Sequence, residues 1–155
     1  MHNQLASEMA AVVGVIDPDA YATGNIDTGW IDASKFDRFM AIVMAGDIVS
    51  TGTLDAKLQQ ASDSSGTGAE DITGKAITQL TQAGTDSNKQ AIINLRPEEM
   101  VGASLSFKAG TATHFRLRLV SATAGADAGA LVLGFVPRYG AASDNDLTSV
   151  DEIKA

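Results

Sequence analysis

The chain offers few candidates for histidine-dependent nucleophilic catalysis, because its only histidines are His2 and His114. A Ser-His-Asp arrangement needs an imidazole base held against a serine hydroxyl. His2 lies on an N-terminal segment that we expect to be mobile, and His114 begins an alternating segment beside Arg116. A solvated strand residue or an interface contact explains His114 more simply than a catalytic base. No Gly-x-Ser-x-Gly motif occurs, so the sequence predicts no enzyme and no catalytic residues.

The segment from Gly68 to Gly74-Lys75 comes nearest to a phosphate-binding loop. It has one residue too many between its glycines, and Ala76 stands where the motif needs a hydroxyl to hold magnesium. Gly66-Thr67-Gly68 supplies only a fragment of the dinucleotide-binding pattern. We interpret this region as a flexible turn, and we expect no nucleotide and no cofactor to bind there.

Carboxylates occur in two close clusters, Asp17-Pro18-Asp19 and Asp144-Asn145-Asp146. Calcium takes oxygen ligands of this kind, but neither cluster continues into the glycine-containing loop of an EF-hand. Solvated turn carboxylates are the simpler interpretation, so we assign no metal site and leave calcium binding open. The chain has 0 cysteine residues, which excludes thiolate zinc sites, disulfides and cysteine nucleophiles.

Sugar chemistry needs two carboxylates that face each other across a cleft, usually with aromatic platforms for stacking. The chain has 19 acidic residues, but its sequence does not show which of them face each other. The platforms would have to come from Trp30, Tyr21 or Tyr139.

Two further groups of residues are candidates for binding. Arg116 and Arg118 point the same way on one predicted strand and could hold a phosphate or carboxylate, although pairing with acids on a neighbouring strand or subunit is favoured. Phe39, Met40 and Met44 lie in the run FMAIVMA, where an exposed part would form an oligomer interface. These five residues are our candidate interface residues.

The elements that must position these residues show a period of two, which is typical of β-strands, and no sustained helical period. From His114 to Val120, one face carries the apolar residues and the other the arginines. Other alternating segments are 53–60, 90–95 and 104–108, with weaker candidates at 11–16, 25–31 and 76–81. The sequence therefore predicts an all-β protein.

Two runs are apolar on both faces, Phe39 to Ala45 and Ala130 to Val136, and we expect them to be central strands. Together the segments give about eight strands, which suits a two-sheet β-sandwich of jelly-roll type. We expect these apolar side chains to be mainly buried: Phe115, Leu117, Leu119, Leu54, Leu58, Ile93, Leu131, Leu133 and Phe135.

The connections are rich in Gly, Ser, Thr and Asp, as at 62–71, 82–89 and 123–130, and these are predicted surface loops. Residues 96–100 predict the one short helical turn, because Pro97 suits a first helical position. We divide the chain into a flexible segment at 1–10, a β-sandwich domain at 11–140 and an acidic tail at 141–155. The tail is either disordered or an arm ordered by a partner.

The 155 residues suit one domain, and 45% hydrophobic content argues against disorder. A net charge of -8 argues against binding nucleic acid or anionic membranes. No targeting or membrane-spanning segment is visible, so we expect synthesis and assembly in a cytoplasm.

Several stretches together resemble small structural proteins of tailed bacteriophages. They are Trp30-Ile31-Asp32, Phe36-Asp37, Gly46-Asp47, the run GTLDAKLQQ at 52–60, Ser62-Asp63, INLRPEE at 93–99 and Phe115-Arg116-Leu117-Arg118-Leu119. The resemblance covers about residues 25–140. Proteins similar to this one often have a Ser-Asp-Gly turn followed by a tryptophan. Here Ser62-Asp63 is followed by SSGTGAED, which contains no tryptophan.

The resemblance implies a jelly-roll virion protein without shared catalytic residues. The expected function is a head decoration or cement protein that binds the major capsid protein, stabilises the shell and forms a homotrimer. Other positions in the particle (neck, tail or spike base) and a carbohydrate-binding adhesive domain are the alternatives.

Overall fold

The computed structural model describes residues 5–100 and 112–154, which fold into a β-sandwich. The strands are β1 (Ala10–Tyr21), β2 (Gly24–Asp27), β3 (Ile31–Asp32), β4 (Phe36–Ile48), β5 (Thr53–Ala61), β6 (Glu70–Ala76), β7 (Leu80–Thr81), β8 (Gln90–Leu95), β9 (His114–Ala122) and β10 (Ala126–Pro137). The helical elements are α1 (Ala6–Met9) and three 3-10 turns, Ala33–Lys35, Pro97–Glu99 and Ala142–Asn145. None of these helices is long and apolar enough to cross a membrane.

The strand order identifies the fold. One sheet has the order β1-β10-β4-β8, and the other has the order β2-β9-β5-β6, with the short strands β3 and β7 paired to β9 and β5. We call them the first and second sheets. The chain passes repeatedly from one sheet to the other, and all pairings are antiparallel. Eight main strands in two such sheets form a jelly roll, so the predicted fold class is confirmed.

The core lies between the sheets. On β9, Phe115, Leu117 and Leu119 are each 0% exposed, as the alternation in the sequence predicts. The ring of Phe39 on β4 crosses this space and lies 4.6 Å from the ring of Phe115, edge to face. Such aromatic pairs add to the stability that burial of their area provides.

The two doubly apolar runs are central strands, as predicted. β10 lies between β1 and β4, and β4 lies between β10 and β8. The turn predicted at 96–100 is also present, as the 3-10 turn Pro97–Glu99. The other three short helical elements were not predicted from the sequence.

The prediction of which side of β10 is buried is wrong, because the structure shows the opposite side facing the core. Leu131, Leu133 and Phe135 are half-buried and face away from the core, whereas Val132 is 0% exposed and Ala130 is 1% exposed. Both sets are apolar, so alternation could not show which side faces inward. The larger side chains of this strand therefore lie on the outer face of the first sheet.

The predicted flexible turn near Lys75 is also different in the structure, because residues 70–76 form β6. Ile72 is 5% exposed and belongs to the core, while Asp71 and Glu70 pair with Gln59 and Gln60 of β5. Polar residues and Gly74 hid this strand in the sequence. The strand predicted at 104–108 and the mobile segment with His2 lie outside the described residues.

Part of the C-terminal segment lies against β1. Val12 donates its N–H to Asp146 Oδ1 at 2.6 Å and accepts a hydrogen bond from the N–H of Leu147 at 2.9 Å. Ala142 is 0% exposed. These contacts occupy backbone groups at an edge of the first sheet, where unpaired strands are prone to association. The division at residues 10 and 140 stays a prediction.

Candidate interaction surfaces

The outer face of the first sheet is apolar across four strands. Cross-strand partners share a face, and the central row runs Val15, Leu131, Ile42 and Ile92. The next row towards the N-terminus of β4 is Val12, Leu133 and Met40. With the flanking residues, we call this the apolar face, and its members are Val12, Val15, Met40, Ile42, Met44, Ile92, Leu131, Leu133 and Phe135.

These side chains are accessible. Ile92 is 58% exposed and Met44 is 38% exposed, and the other seven are half-buried by their neighbours in the sheet. Strand spacings of about 4.8 Å across four strands and 3.3 Å per residue along them give a patch of about 400 Å². This is about the size of the largest apolar patch on a typical monomeric protein, and such patches often serve as interaction surfaces.

The apolar face has opposite charges at its two ends. Arg38 pairs with Phe135 in the last outward row at one end. At the other end, Asp19 and Asp127 are exposed beside Met44. Among the residues that the structure describes, neither Arg38 nor Asp127 forms an ion pair. Each end therefore carries charge that another molecule can neutralise.

A depression lies at the acidic end of the apolar face. Its volume is about 400 Å³, and Pro18, Asp19, Met44, Gly46 and Asp127 are among the residues that line it. A Cβ at Gly46 would lie 2.8 Å from Asp127 Cβ, so glycine is needed for the close approach of these strands. The register of β1 against β10 shifts between Ile16 and Asp19, and the depression lies beside this shift.

The outer face of the second sheet is polar and paired within itself. Asp27 accepts two hydrogen bonds from Arg118, at 2.6 and 2.7 Å, and lies 3.1 Å from Arg116 Nη1. Arg116 also donates to Gln59 Oε1, and Gln59 donates to Asp71 Oδ1 at 2.7 Å. The hydrogen bonds that Arg118 donates to Asp27 raise the pKa of Arg118, against the effect of burial. The favoured pairing of the arginines with a neighbouring acid is therefore observed.

Trp30 is covered on this surface. The guanidinium of Arg116 lies over its ring, 4.6 Å from the centroid. Gly66 also approaches the indole so closely that a Cβ there would lie 2.7 Å from Trp30 Nε1. Tyr21 donates its hydroxyl to the carbonyl of Asp17 at 2.6 Å. Trp30 is thus half-buried with one face occupied by an arginine, whereas Tyr139 is 83% exposed.

The candidate interface residues divide between three environments. Met40 and Met44 lie on the apolar face, while Phe39 is 2% exposed and belongs to the core. Arg116 and Arg118 lie on the opposite sheet in the polar network. Sequence reasoning missed Val12, Val15, Ile42 and Ile92 as surface residues. The sequence feature that could have indicated them is that β4 and β10 are apolar on both sides, because such strands imply an apolar outer face that continues onto the neighbouring strands β1 and β8.

The residues considered for chemistry have structural contacts. His114 Nδ1 lies 2.8 Å from Thr113 Oγ1. Lys75 donates to the carbonyl of Asn94 at 2.8 Å and forms an ion pair with Glu99 at 2.8 Å. Within residues 5–100 and 112–154, no group of three or more His, Asp or Glu side chains could hold a metal ion.

Comparisons with known proteins give weak structural similarities. No family model matches the chain, and no curated protein matches it. A structure of infectious bursal disease virus, Gx strain, is 13% identical with a TM-score of 0.48, covering 86% of this chain and 33% of that chain. An empty virus-like particle of cowpea mosaic virus is 10% identical with a TM-score of 0.47, covering 88% and 85%. This chain thus spans about a third of the bursal disease virus chain, and the assignment of the fold rests on strand order.

Proposed function

We propose that this protein is a non-enzymatic structural subunit of a virus particle. The apolar face carries this proposal, because nine outward apolar side chains on one sheet form a contiguous patch of the kind that a partner often covers. The jelly-roll topology supports it, since this fold recurs in viral capsid proteins as well as in lectins and cupins. The resemblance of residues 25–140 to phage structural proteins is an independent argument from sequence.

The more specific role that we propose is head decoration. In this role the protein binds the major capsid protein and stabilises the shell as a homo-oligomer assembled in the host cytoplasm. The resemblance to phage proteins supports decoration, and the threefold positions of icosahedral shells are the argument for a trimer. A neck, tail or spike-base position is the alternative within the particle.

A carbohydrate-binding adhesive domain is a weaker alternative. Jelly rolls include lectins, but Trp30 is covered by Arg116 and Gly66. Tyr139 is the exposed aromatic side chain among those weighed for sugar stacking. A glycan array probed with the purified protein tests this alternative directly, and a Tyr139→Ala variant is its matched control.

Particles with and without the protein test the decoration role. Mass spectrometry of purified particles should detect the chain in many copies, and electron microscopy should show it on the head. Particles that lack the protein should lose their shells at lower temperature, and adding the purified protein should restore stability. Absence from particles would refute the virion role, and a tail location would refute decoration.

A further inference from the structure

We propose that the apolar face binds the same face of a second copy of this chain. The two sheets would pack face to face about a two-fold axis that lies in the interface and runs perpendicular to the strands. The proposal rests on the assembly role argued above and names the partner of one surface. A two-fold interface brings the same patch of both subunits together, so that patch must be complementary to itself.

The charges on the apolar face meet this requirement. Rotation about the stated axis reverses the strand direction, so the end of one face lies over the opposite end of its partner. Arg38 of each copy would then face the end of the other copy where Asp19 and Asp127 are exposed. A two-fold axis parallel to the strands would instead bring like charges together, which is unfavourable.

The shape of the face supports the same orientation. The row of Arg38 and the row of Gly46 lie at similar distances on either side of Ile42, along β4. Reversal about Ile42 therefore places Arg38 of one copy over Gly46 of the other. Gly46 lies in the depression of about 400 Å³, which has room for the arginine side chain and has Asp127 on its wall.

The size of the face also suits a protein partner. Its apolar centre of about 400 Å² is roughly half of the 800 Å² that each partner buries in a standard interface. The charged ends would supply a polar rim around this centre, as is usual in such interfaces. Packed sheets lie about 10 Å apart with their strands within about 30° of each other.

The described surface favours a two-fold over a threefold arrangement. A ring of three copies needs two different surfaces that are complementary to each other. The outer face of the second sheet carries the paired network of Asp27, Arg116 and Arg118, which offers no extended apolar area. The apolar face is thus better matched by its own copy than by the opposite sheet, so the homo-oligomer expected here is a dimer in place of the trimer argued from shell symmetry.

The mass of the full-length protein in solution is the first test. Light scattering after gel filtration should give twice the chain mass of 16.0 kDa. Leu131→Asp places a charge at the centre of the apolar face and should give a monomer. Val120→Asp, on the outer face of β9, is the matched control and should remain a dimer.

Charge reversal tests the orientation without a change in the apolar centre. Arg38→Glu and Asp127→Arg should each raise the dissociation constant about tenfold, because each change affects two symmetric contacts. The double variant Arg38→Glu/Asp127→Arg should return it to within about threefold of the original value. These positions are exposed, so the variants should fold normally, which circular dichroism checks.

A monomer, a trimer or a dimer that Leu131→Asp leaves intact would overturn the face-to-face arrangement. Failure of the double variant to recover affinity would overturn the proposed orientation. None of these results bears on the presence of the protein in particles. Conversely, a face-to-face dimer that is absent from particles would support this inference and refute the proposed virion function.

Discussion

Alanine substitutions at Val132 and Leu133 test which side of β10 faces the core. These adjacent residues have opposite environments, and the sequence predicted burial of the wrong one. Val132 is 0% exposed and packs against Gly14, where an added Cβ would lie 3.1 Å from Val132 Cβ. Leu133 lies on the outer face between Val12 and Met40.

The structure predicts the larger effect at the smaller residue. Val132→Ala removes two methyl groups, each worth about 0.8 kcal/mol of transfer free energy. The remaining cavity adds about 1 kcal/mol, because the backbone of Gly14 closes one side and can collapse only partly. The expected loss in unfolding free energy is about 2 to 3 kcal/mol. Leu133→Ala should cost the monomer about 1 to 1.5 kcal/mol, because that side chain is half-buried on the outer face and its removal leaves no closed cavity.

Chemical and thermal unfolding at several protein concentrations would measure both effects. The part that changes with concentration reports association, and the part that persists at the lowest concentration reports the monomer. Val132→Ala should lower the midpoint temperature of the monomer by about 6 to 10 °C. A larger effect of Leu133→Ala at the lowest concentration would refute the assigned phase of β10.

Three further predictions concern the outer face of the second sheet and the loop between β5 and β6. Hydrogen bonds from its lysine and glutamine neighbours hold the pKa of Asp71 below its ordinary value. The stability that Asp71 contributes should therefore be fully present at neutral pH and should be lost as the pH falls below about 4. An unfolding free energy that stays constant from pH 7 down to pH 3 would contradict this. Both Gly66 and Gly68 have a positive φ, but a Cβ at Gly66 would clash with the indole of Trp30, whereas Gly68 has open space around it. Gly66→Ala should therefore destabilise the protein by about 1 to 2 kcal/mol more than Gly68→Ala, and it should alter tryptophan fluorescence. Equal effects of the two alanine variants would refute the contact with the indole. Asp27→Asn should cost about 1 to 2 kcal/mol, since it removes the carboxylate that two partly buried arginines share. Asp37→Asn, in an exposed pair, should cost under about 0.5 kcal/mol. Similar unfolding curves for these two variants would show that the network adds no stability.

The strands with one polar and one apolar face could be predicted in both extent and orientation. On β9 the arginines had to face water and the alternate apolar residues had to face the core, and the structure agrees. The segment 90–95 corresponds to β8, where Gln90 and Asn94 face outward as expected but Ile92 lies outward with them. Such strands carry their own orientation, because a shift by one residue would bury charge.

β6 could not be predicted from its own residues. Gly74 and the acidic pair Glu70 and Asp71 are typical of a loop, and Ile72 is its one large apolar residue. The strand forms because β5 supplies a ladder of backbone partners and glutamine side chains that pair with the acids. Hydrogen bonds across strands outweigh the weak local preference in this case.

The sequence alone determined an all-β, cysteine-free domain with two central strands too apolar for a single core. Only the tertiary structure decided that Val132 faces inward and Leu131 outward, and that Val15, Ile42 and Ile92 join Leu131 in one row. Alternation along a strand specifies its period, but a strand that is apolar on both sides receives its orientation from its neighbours. The apolar face and its charged ends exist because antiparallel pairing brings four distant segments into one register.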